Sequence, residues 1–284
     1  DRDVVEWSNL QRQILFTEAH AEQAVPKAAA AAEQLGLANS TIKLDVYIRD
    51  LDAGNAKKLL ADVDLILDGT DNLETRYLVN EVAVQSNTPW VYSASVGTYG
   101  VVMPIVPGET ACLRCVFPSM SSGGGATCDT VGVLGPIITL MGSIAAAEGL
   151  KLLTGAVDRL RRGLTWIDVW YNSVQSTDLA GPVQGCPTCV ERRFELLDRG
   201  PQSLSARLCG RDAVQVRPFG VSALDLKTLE SRLERIGPVN RTEYLLRTRV
   251  DGYELSVFDD GRLIVKGTED LQTARSLYAR YIGL

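Results

Sequence analysis

The chain has 284 residues, enough for one large domain or for one domain with a smaller companion, and its composition is that of an ordinary globular protein. Its net charge of −6 and its lack of a basic tract argue against a nucleic-acid partner, and its single histidine, His20, excludes chemistry that needs several histidines. No signal peptide and no apolar run of bilayer length is visible, so we expect a cytoplasmic protein with no membrane partner.

Residues 1–17 are predicted to be the end of a strand followed by a loop. Asp1 and Asp3 would lie where an acidic residue commonly contacts a nucleotide ribose. The segment from Ser8 to Gln13 concentrates hydrogen-bonding groups, and Arg12 suits phosphate because a guanidinium binds it bidentately. Taken alone, the segment from Ser8 to Gln13 fits a solvated loop with a surface arginine better than it fits a phosphate site.

The next element is an alanine-rich helix predicted over Glu18–Leu35, with Gly36 as its C-cap. Proline is favoured in the first turn of a helix, so the helix proper is expected to begin near Pro26. Lys27 would then lie at a positive helix N-terminus, where phosphate binds well. The alternative is an ordinary solvated lysine.

Strands alternate with helices in the following segments. Strands are predicted at residues 41–47, 63–67 and 89–93 and within 95–106, and helices at 51–60 and 73–86. This alternation predicts an α/β fold with a mostly parallel sheet and crossover connections.

The strand at residues 63–67 ends at the polar segment Asp68-Gly69-Thr70-Asp71-Asn72. Ligands of open α/β sheets bind at the carboxyl ends of strands. An aspartate there could hold Mg²⁺, which usually takes one or two protein carboxylates together with phosphate oxygens. The alternative is an aspartate that only caps the following helix or forms a turn.

Two Cys-x-x-Cys pairs are the strongest local motifs, Cys112 with Cys115 and Cys186 with Cys189. One pair could be a redox motif, but two pairs without a secretory context favour zinc over disulfides. Four thiolates leave no open coordination position, so such a zinc ion would stabilise the fold by joining two distant loops.

The remaining cysteines differ in context. Cys128 ends a Gly/Ser-rich loop before an apolar helix predicted at about 133–153. A thiol just before a helix N-terminus has a depressed pKa, which suits a nucleophile. The alternative is that Cys128 is only a small buried residue. Cys209 has no helix start or base nearby, and we expect it to be inert.

The C-terminal part has a different pattern. A hairpin at residues 164–179 is followed by a linker at 191–202, and we place a first domain at 1–198 and a small α+β domain at 205–284. The α+β domain is predicted from helices at 224–236 and 271–281 and strands at 243–250, 253–258 and 262–266. Its sequence does not reveal a role.

In combination these motifs resemble the ThiF/MoeB family, bacterial relatives of ubiquitin-activating enzymes. The resemblance covers residues 1 to about 190 and is carried by Asp1-x-Asp3, Ser8-Asn9-Leu10-Gln11-Arg12-Gln13, Pro26-Lys27, Thr70-Asp71-Asn72, both cysteine pairs and Thr127-Cys128. It implies a Rossmann-like doubly wound sheet. The family's glycine-rich nucleotide loop lies upstream of Asp1, so either truncation or degeneration would account for the lack of its first strand and loop.

The resemblance also implies a reaction. Family members use MgATP to adenylate the C-terminal glycine of a ubiquitin-like sulfur carrier resembling ThiS or MoaD. Sulfur from a cysteine desulfurase or another donor then converts the acyl-adenylate to a thiocarboxylate. A homodimer is expected.

The site residues implied by the resemblance fall into four groups. Asp1 would hold the ribose of the nucleotide, and its phosphates would be contacted by Asn9, Arg12 and Lys27. The other residues beside the nucleotide would be Ser8, Leu10, Gln11 and Asn72. Asp71 would hold Mg²⁺, and zinc would be bound by Cys112, Cys115, Cys186 and Cys189. Cys128 would form a covalent link to the carrier. An arginine, a lysine and Mg²⁺ suit a transition state that gathers negative charge, and the attacking carboxylate needs no general base because it is already ionised.

The C-terminal extension favours thiamine (thiazole) biosynthesis, with activation of the molybdopterin-synthase carrier as the alternative. A non-catalytic homologue that only binds a carrier is a second alternative. A nicotinamide oxidoreductase on a similar sheet is the third, but the sequence offers no hydride-handling site.

Overall fold

A computed structural model describes residues 1–60, 62–119, 131–200, 204–208, 212–217 and 223–283. Contacts divide the chain into two units, one of residues 11–13 and 51–200 and the other of residues 1–10, 14–50 and 201–284. The domains predicted from the sequence, 1–198 and 205–284, stay a prediction; the contact units group residues 1–10 and 14–50 with residues 201–284.

The helices and strands occur throughout the described ranges. The helices are a 3-10 turn (Trp7–Asn9), α1 (Glu18–Glu22), α2 (Lys27–Ala38), α3 (Ala56–Leu60), α4 (Leu73–Ser86), α5 (Leu113–Val116), α6 (Gly135–Leu153), a 3-10 turn (Val157–Arg159), α7 (Glu195–Asp198), α8 (Leu226–Leu233) and α9 (Leu271–Leu277), which continues as a π-helical turn (Tyr278–Ile282). The strands are β1 (Ile66–Leu67), β2 (Trp90–Val96), β3 (Tyr99–Ile105), β4 (Gly163–Asp168), β5 (Ser173–Asp178), β6 (Leu204–Leu208), β7 (Ala213–Arg217), β8 (Val239–Arg241), β9 (Leu245–Val250), β10 (Tyr253–Phe258) and β11 (Leu263–Lys266).

The unit of residues 11–13 and 51–200 is built on a five-stranded sheet with the order β1-β2-β3-β4-β5. β1 pairs with β2 in parallel, and the next three pairs are antiparallel. Only Gly97 and Thr98 connect β2 to β3, with Gly97 at φ +58°, and so short a connection requires antiparallel strands. The predicted α/β fold is confirmed, but the prediction of a mostly parallel sheet is wrong for the described strands.

The core of this unit lies between the sheet and α4. Trp90 and Ile105 are completely buried there, and the cysteine pairs lie at its edge. A second cluster forms where α6 packs on β2 and β3, with Val91, Val102 and Ala145 at its centre. The core therefore holds the middle of α4, the helix that carries Arg76 and Asn80.

The helix α6 is long and apolar enough to cross a membrane by length and composition, although the sequence analysis found no run of that length. Its buried residues include Ile137, Met141 and the polar Glu148, whose carboxylate accepts a hydrogen bond from the backbone N–H of Arg161. A core helix of a globular unit can have the same length and composition; 28% of the apolar window of α6 is buried, and Ala145 packs with Val91 of β2 and Val102 of β3.

The other unit holds a six-stranded antiparallel sheet with the order β6-β7-β11-β10-β9-β8. Apolar residues cover both of its faces. One face packs against α8 and α9 through Val214, Val216, Leu229, Leu233, Leu246, Leu255, Val257, Leu263, Val265 and Leu277. The opposite face packs against Val4 and Ala24 through Ala213, Leu245, Phe258 and Ile264.

Several predicted elements have different bounds. The predicted helix over 18–35 is two helices, because Ala24 lies at φ +47° and Pro26 precedes the first residue of α2. The expected start near Pro26 is confirmed, whereas Gly36 is not a C-cap because α2 continues to Ala38. Residues 41–47 form no strand, and the predicted linker contains α7. The strands β6, β7 and β8 were not predicted.

Candidate functional site

The predicted ribose and phosphate residues at the start of the chain lie together. Lys27 Nζ lies 3.1 Å from Asp3 Oδ2, and both side chains are almost fully buried. The backbone N–H of Lys27 donates to the carbonyl of Asp3 at 2.8 Å, and Asp1 Oδ1 accepts from the backbone N–H of Asp3 at 2.8 Å. The structure therefore fixes the Lys27 ammonium at the first turn of α2, close to the exposed Asp1.

Asn9 ends the short turn that follows. It is 1% exposed, and its Oδ1 accepts from the backbone N–H of Glu6 at 3.1 Å. This bond uses the amide oxygen to hold the turn and leaves the amide NH₂ as the group suited to a ligand. Ser8 is exposed and Leu10 is half-buried, so the predicted nucleotide contacts of this segment stay predictions.

Gln11, Arg12 and Gln13 belong to the other unit. The backbone of Gln11 lies against Gly135, the first residue of α6, and a Cβ on Gly135 would be 2.8 Å from the Gln11 carbonyl oxygen. Glycine at this position therefore allows the close approach of the two backbones. Arg12 is half-buried beside it, and its role at phosphate stays a prediction.

The polar loop after β1 is held by hydrogen bonds from within. Asp68 Oδ1 accepts from the backbone N–H and the hydroxyl of Thr70 at 2.8 and 2.7 Å. Asn72 Oδ1 accepts from the backbone N–H of Thr75 at 2.8 Å and so caps α4. The helix cap is therefore Asn72 and not Asp71, whose side chain is exposed. An exposed carboxylate on a fixed loop at the carboxyl end of a strand fits a Mg²⁺ ion that takes its other ligands from phosphate and water.

Arg76, in the first part of α4, contacts this loop and has no role predicted from the sequence. Its Nε lies 3.2 Å from Asp68 Oδ2, and its guanidinium also donates to the carbonyls of Thr70 and Ser93. The guanidinium lies 5.5 Å from the centre of the Tyr92 ring, and burial raises the pKa of Tyr92. The arginine thus connects the loop to α4 and β2.

The four predicted zinc ligands come together. All four Sγ atoms lie within 4.8 Å of one another, with separations of 3.8 Å for Cys112–Cys115, 3.7 Å for Cys112–Cys186 and 3.4 Å for Cys115–Cys189. A tetrahedral site with Zn–S bonds of about 2.3 Å has sulfur–sulfur edges of about 3.8 Å. The cluster could therefore hold a tetrahedral metal ion with small adjustments.

Two neighbours orient these sulfurs. Asn80 donates from Nδ2 to Cys112 Sγ at 3.7 Å and accepts from the backbone N–H of Leu113 at 2.9 Å, while the backbone N–H of Val183 donates to Cys115 Sγ at 3.4 Å. Hydrogen bonds from neighbouring groups to the ligand atoms orient metal ligands in this way. The spacing of Arg76 and Asn80 on α4 was the only sequence signal for either residue, because positions four apart share a helix face.

The packing of the thiols separates their pKa values. Hydrogen bonds with Cys112 and Cys189 lower the pKa of Cys115 to about 2, and the bond with Cys115 raises the pKa of Cys112 to about 12. Hydrogen bonds with Cys112 and Cys189 therefore favour the thiolate form of Cys115, the form in which a cysteine binds a metal ion. Cys128 and Cys209 lie outside the described residues, so the predicted roles of both stay predictions.

Known proteins are similar to this chain over most or all of its length. Residues 1–188 match the model of the ThiF family. The chain is 39% identical over 285 residues to the sulfur carrier protein ThiS adenylyltransferase of Bacillus subtilis (strain 168), covering all of this chain and 84% of the relative. It is 32% identical over 190 residues to the adenylyltransferase and sulfurtransferase MOCS3 of Arabidopsis thaliana, covering 66% of this chain and 40% of the relative.

A solved structure supports the fold. The crystal structure of E. coli MccB with MccA-N7isoASN has a TM-score of 0.57 and 21% sequence identity, and the alignment covers 66% of this chain and 58% of that chain. The agreement supports an α/β fold with a mixed sheet. The match to the family model over residues 1–188 shows by itself that the chain belongs to the ThiF family.

Proposed function

We propose that this protein is an adenylyltransferase that activates the C-terminal glycine of a ubiquitin-like sulfur carrier with ATP, in preparation for thiocarboxylate formation in thiamine (thiazole) biosynthesis. The observation that carries the proposal is the alignment of the whole chain, including its C-terminal part, with a ThiS adenylyltransferase. The MOCS3 relative aligns over 66% of the chain and favours the molybdopterin carrier as the alternative.

The chemistry is a nucleotidyl transfer. A carboxylate oxygen of the carrier forms a bond to the α-phosphorus of ATP, the bond from that phosphorus to the bridging oxygen breaks, and pyrophosphate leaves. The carboxylate is ionised at neutral pH, so the step needs no general base. Negative charge gathers on the phosphates, and fixed cationic groups stabilise it best.

The residues of this chain have separate tasks in that step. Lys27, held by Asp3, and Arg12 would neutralise phosphate charge, while Asp1 would hold the ribose. Asp71 would bind Mg²⁺, which when bound neutralises phosphate charge and orients the leaving group. Ser8, Asn9, Leu10, Gln11 and Asn72 would line the nucleotide.

The metal of the cysteine cluster is proposed to be zinc. Four sulfurs close to tetrahedral spacing would fill the coordination sphere of a zinc ion, which suits a structural ion rather than a catalytic one. The ion would join the residues around α5 to the segment at 186–189 and so stabilise the edge of the core.

Cys128 is proposed to link covalently to the carrier, with sulfur arriving from a cysteine desulfurase or another donor. A cytoplasmic homodimer is proposed as the working form. Intact-mass analysis tests the link: a carrier adduct is expected with the parent protein and not with Cys128→Ala. An unchanged adduct yield in the variant would exclude Cys128.

The choice of carrier is tested with two purified proteins, one ThiS-like and one MoaD-like, each incubated with MgATP and the enzyme. Intact-mass analysis of the carrier should show the acyl-adenylate on the ThiS-like protein. Adenylation of the MoaD-like carrier alone would support the molybdopterin alternative. Tight binding of a carrier without any adenylate would indicate a non-catalytic homologue.

A further inference from the structure

The C-terminal module, here residues 204–283, has a sheet whose two faces differ. Residues of β7, β10 and β11 alternate, so one set packs against the helices and the other set points to the opposite face. That opposite face is not purely apolar. It contains Gln215, Ser256 and Arg262, each at most 6% exposed.

The start of the chain covers this face. Val4 is 6% exposed and packs in one cluster with Ala213, Phe258 and Ile264. The N-terminal segment, here residues 1–9, includes Asp1 and Asn9, and Val4 forms only an isolated bridge, to Pro26. Because the segment belongs to no strand ladder, its position depends on what it packs against.

Arg262 is the central polar contact between the segment and the sheet. Arg262 is completely buried. Its Nη1 donates to the carbonyl of Arg2 at 2.7 Å, and its Nε pairs with Asp260 Oδ2 at 2.8 Å. Its guanidinium also lies 4.2 Å from the centre of the Phe258 ring. A buried arginine with these bonds fixes the backbone between Asp1 and Asp3.

Two further contacts hold the segment on either side. Lys266 Nζ lies 2.6 Å from Glu6 Oε1, and the backbone N–H of Glu6 donates to Asn9. Gln215 donates to Asp50 Oδ2 at 3.0 Å, and Asp50 in turn binds the guanidinium of Arg2.

We propose that the C-terminal module positions the nucleotide-contacting segment, with Arg262 and Lys266 as positioning residues for ATP. The inference rests on the proposed function, because Asp1 and Asn9 matter here as nucleotide contacts. A displacement of about 1 Å at groups that orient a substrate can cost about a hundredfold in rate. Weakening the module's hold on the segment therefore impairs use of ATP without removing any group that touches it.

The test uses Lys266→Met in the full chain, since this side chain is one-third exposed and its loss leaves the core intact. Lys266→Arg serves as the conservative rescue. The matched control is Arg280→Met, which removes the 2.8 Å pair with Asp251 elsewhere in the module. Carrier-dependent ATP–pyrophosphate exchange gives KM for ATP and kcat, and hydrogen–deuterium exchange reports on residues 1–10.

For Lys266→Met we expect KM for ATP to rise about tenfold, deuterium uptake in residues 1–10 to increase, and the melting temperature to stay near that of the parent. Lys266→Arg should restore KM, and Arg280→Met should change neither quantity. An unchanged KM together with unchanged deuterium uptake in Lys266→Met would overturn the inference.

Arg262→Met extends the test to the buried contact, and Arg262→Lys keeps a charge there should the first variant fail to fold. A Glu6→Lys, Lys266→Glu double variant re-forms the ion pair with the charges exchanged. Its KM for ATP and its deuterium uptake in residues 1–10 should therefore be closer to those of the parent than in either single variant. If the parent protein shows no exchange at all, the proposed function fails. Deuterium uptake alone then decides whether the module holds the segment.

Discussion

Arg76 Nε lies 3.2 Å from Asp68 Oδ2, and this ion pair is buried beneath the loop that carries Asp71. The Asp68 side chain has no exposed surface and the Arg76 side chain is 10% exposed. The pair holds the predicted Mg²⁺ loop from below, because the same guanidinium donates to the carbonyl of Thr70.

Arg76→Met should lower the free energy of unfolding by about 3–5 kcal/mol, since it leaves the Asp68 carboxylate buried without its partner. The double variant Asp68→Asn, Arg76→Met should lose much less than the sum of the single losses. Urea unfolding of the four proteins in the cycle measures this coupling. If the losses in the free energy of unfolding of the two single variants simply add up in the double variant, the ion pair does not stabilise the folded chain.

Gly135→Ala should separate the Arg12 segment from α6, because the new Cβ would meet the Gln11 carbonyl oxygen at 2.8 Å. We expect a loss of stability and a larger loss of adenylation, measured by denaturation and by pyrophosphate exchange.

Gly142→Ala on the same helix is the control. A Cβ there has no atom within 4 Å, so it should stabilise α6 by about 0.5–1 kcal/mol. Equal effects of the two substitutions would contradict a specific contact at Gly135.

Cys112→Ser should remove bound zinc and stability together, because the site needs all four sulfurs and Asn80 is left without its sulfur acceptor. Metal analysis should find equimolar zinc in the parent and in Cys209→Ser, and little in Cys112→Ser. Chelation of the parent should reproduce the melting temperature of Cys112→Ser. Full zinc content in that variant would exclude the assignment.

Glu81 makes the free energy of unfolding depend on pH. Burial raises the pKa of Glu81, and hydrogen bonds from the backbone N–H groups of Leu197 and Leu196 offset part of the shift. The folded chain therefore holds this proton more tightly than the unfolded chain. The resulting contribution to stability is present at acidic pH and is lost as pH rises from the ordinary carboxyl pKa through the raised one.

Glu81→Gln should therefore gain stability relative to the parent as pH rises from about 4 to about 8. The exposed Glu74 on the same helix supplies the control, and Glu74→Gln should follow the parent across the range. A stability difference between parent and Glu81→Gln that does not vary with pH would contradict the raised pKa.

Local signals predicted the parts of the structure that depend on neighbouring residues. The helix α4 was predicted with its observed bounds from its residue pattern, and the four cysteines were assigned to one site from their spacing. Pro26 marked the start of α2 for the same reason.

Long-range packing accounts for what was missed. Arg76 and Asp68 form a pair only because α4 folds back on the loop, and nothing in either residue's neighbourhood predicts it. The alternating residues 41–47 resemble a strand but find no partner among the described strands. Val4 and Ile264 share one hydrophobic cluster although they lie near opposite ends of the chain, and no local signal predicts that packing.

Carrier-dependent ATP–pyrophosphate exchange with Mg²⁺ tests the central claim most directly. The exchange should be measured on this chain and on the chain produced with any residues that its gene encodes before Asp1. Three forms of each chain are compared: the parent, Asp71→Asn and, as a control at an exposed aspartate, Asp64→Asn. We expect exchange that requires the carrier, is lost in Asp71→Asn and is retained in Asp64→Asn. Absence of exchange in every form of the parent with both carrier types, or normal exchange in Asp71→Asn, would contradict the account.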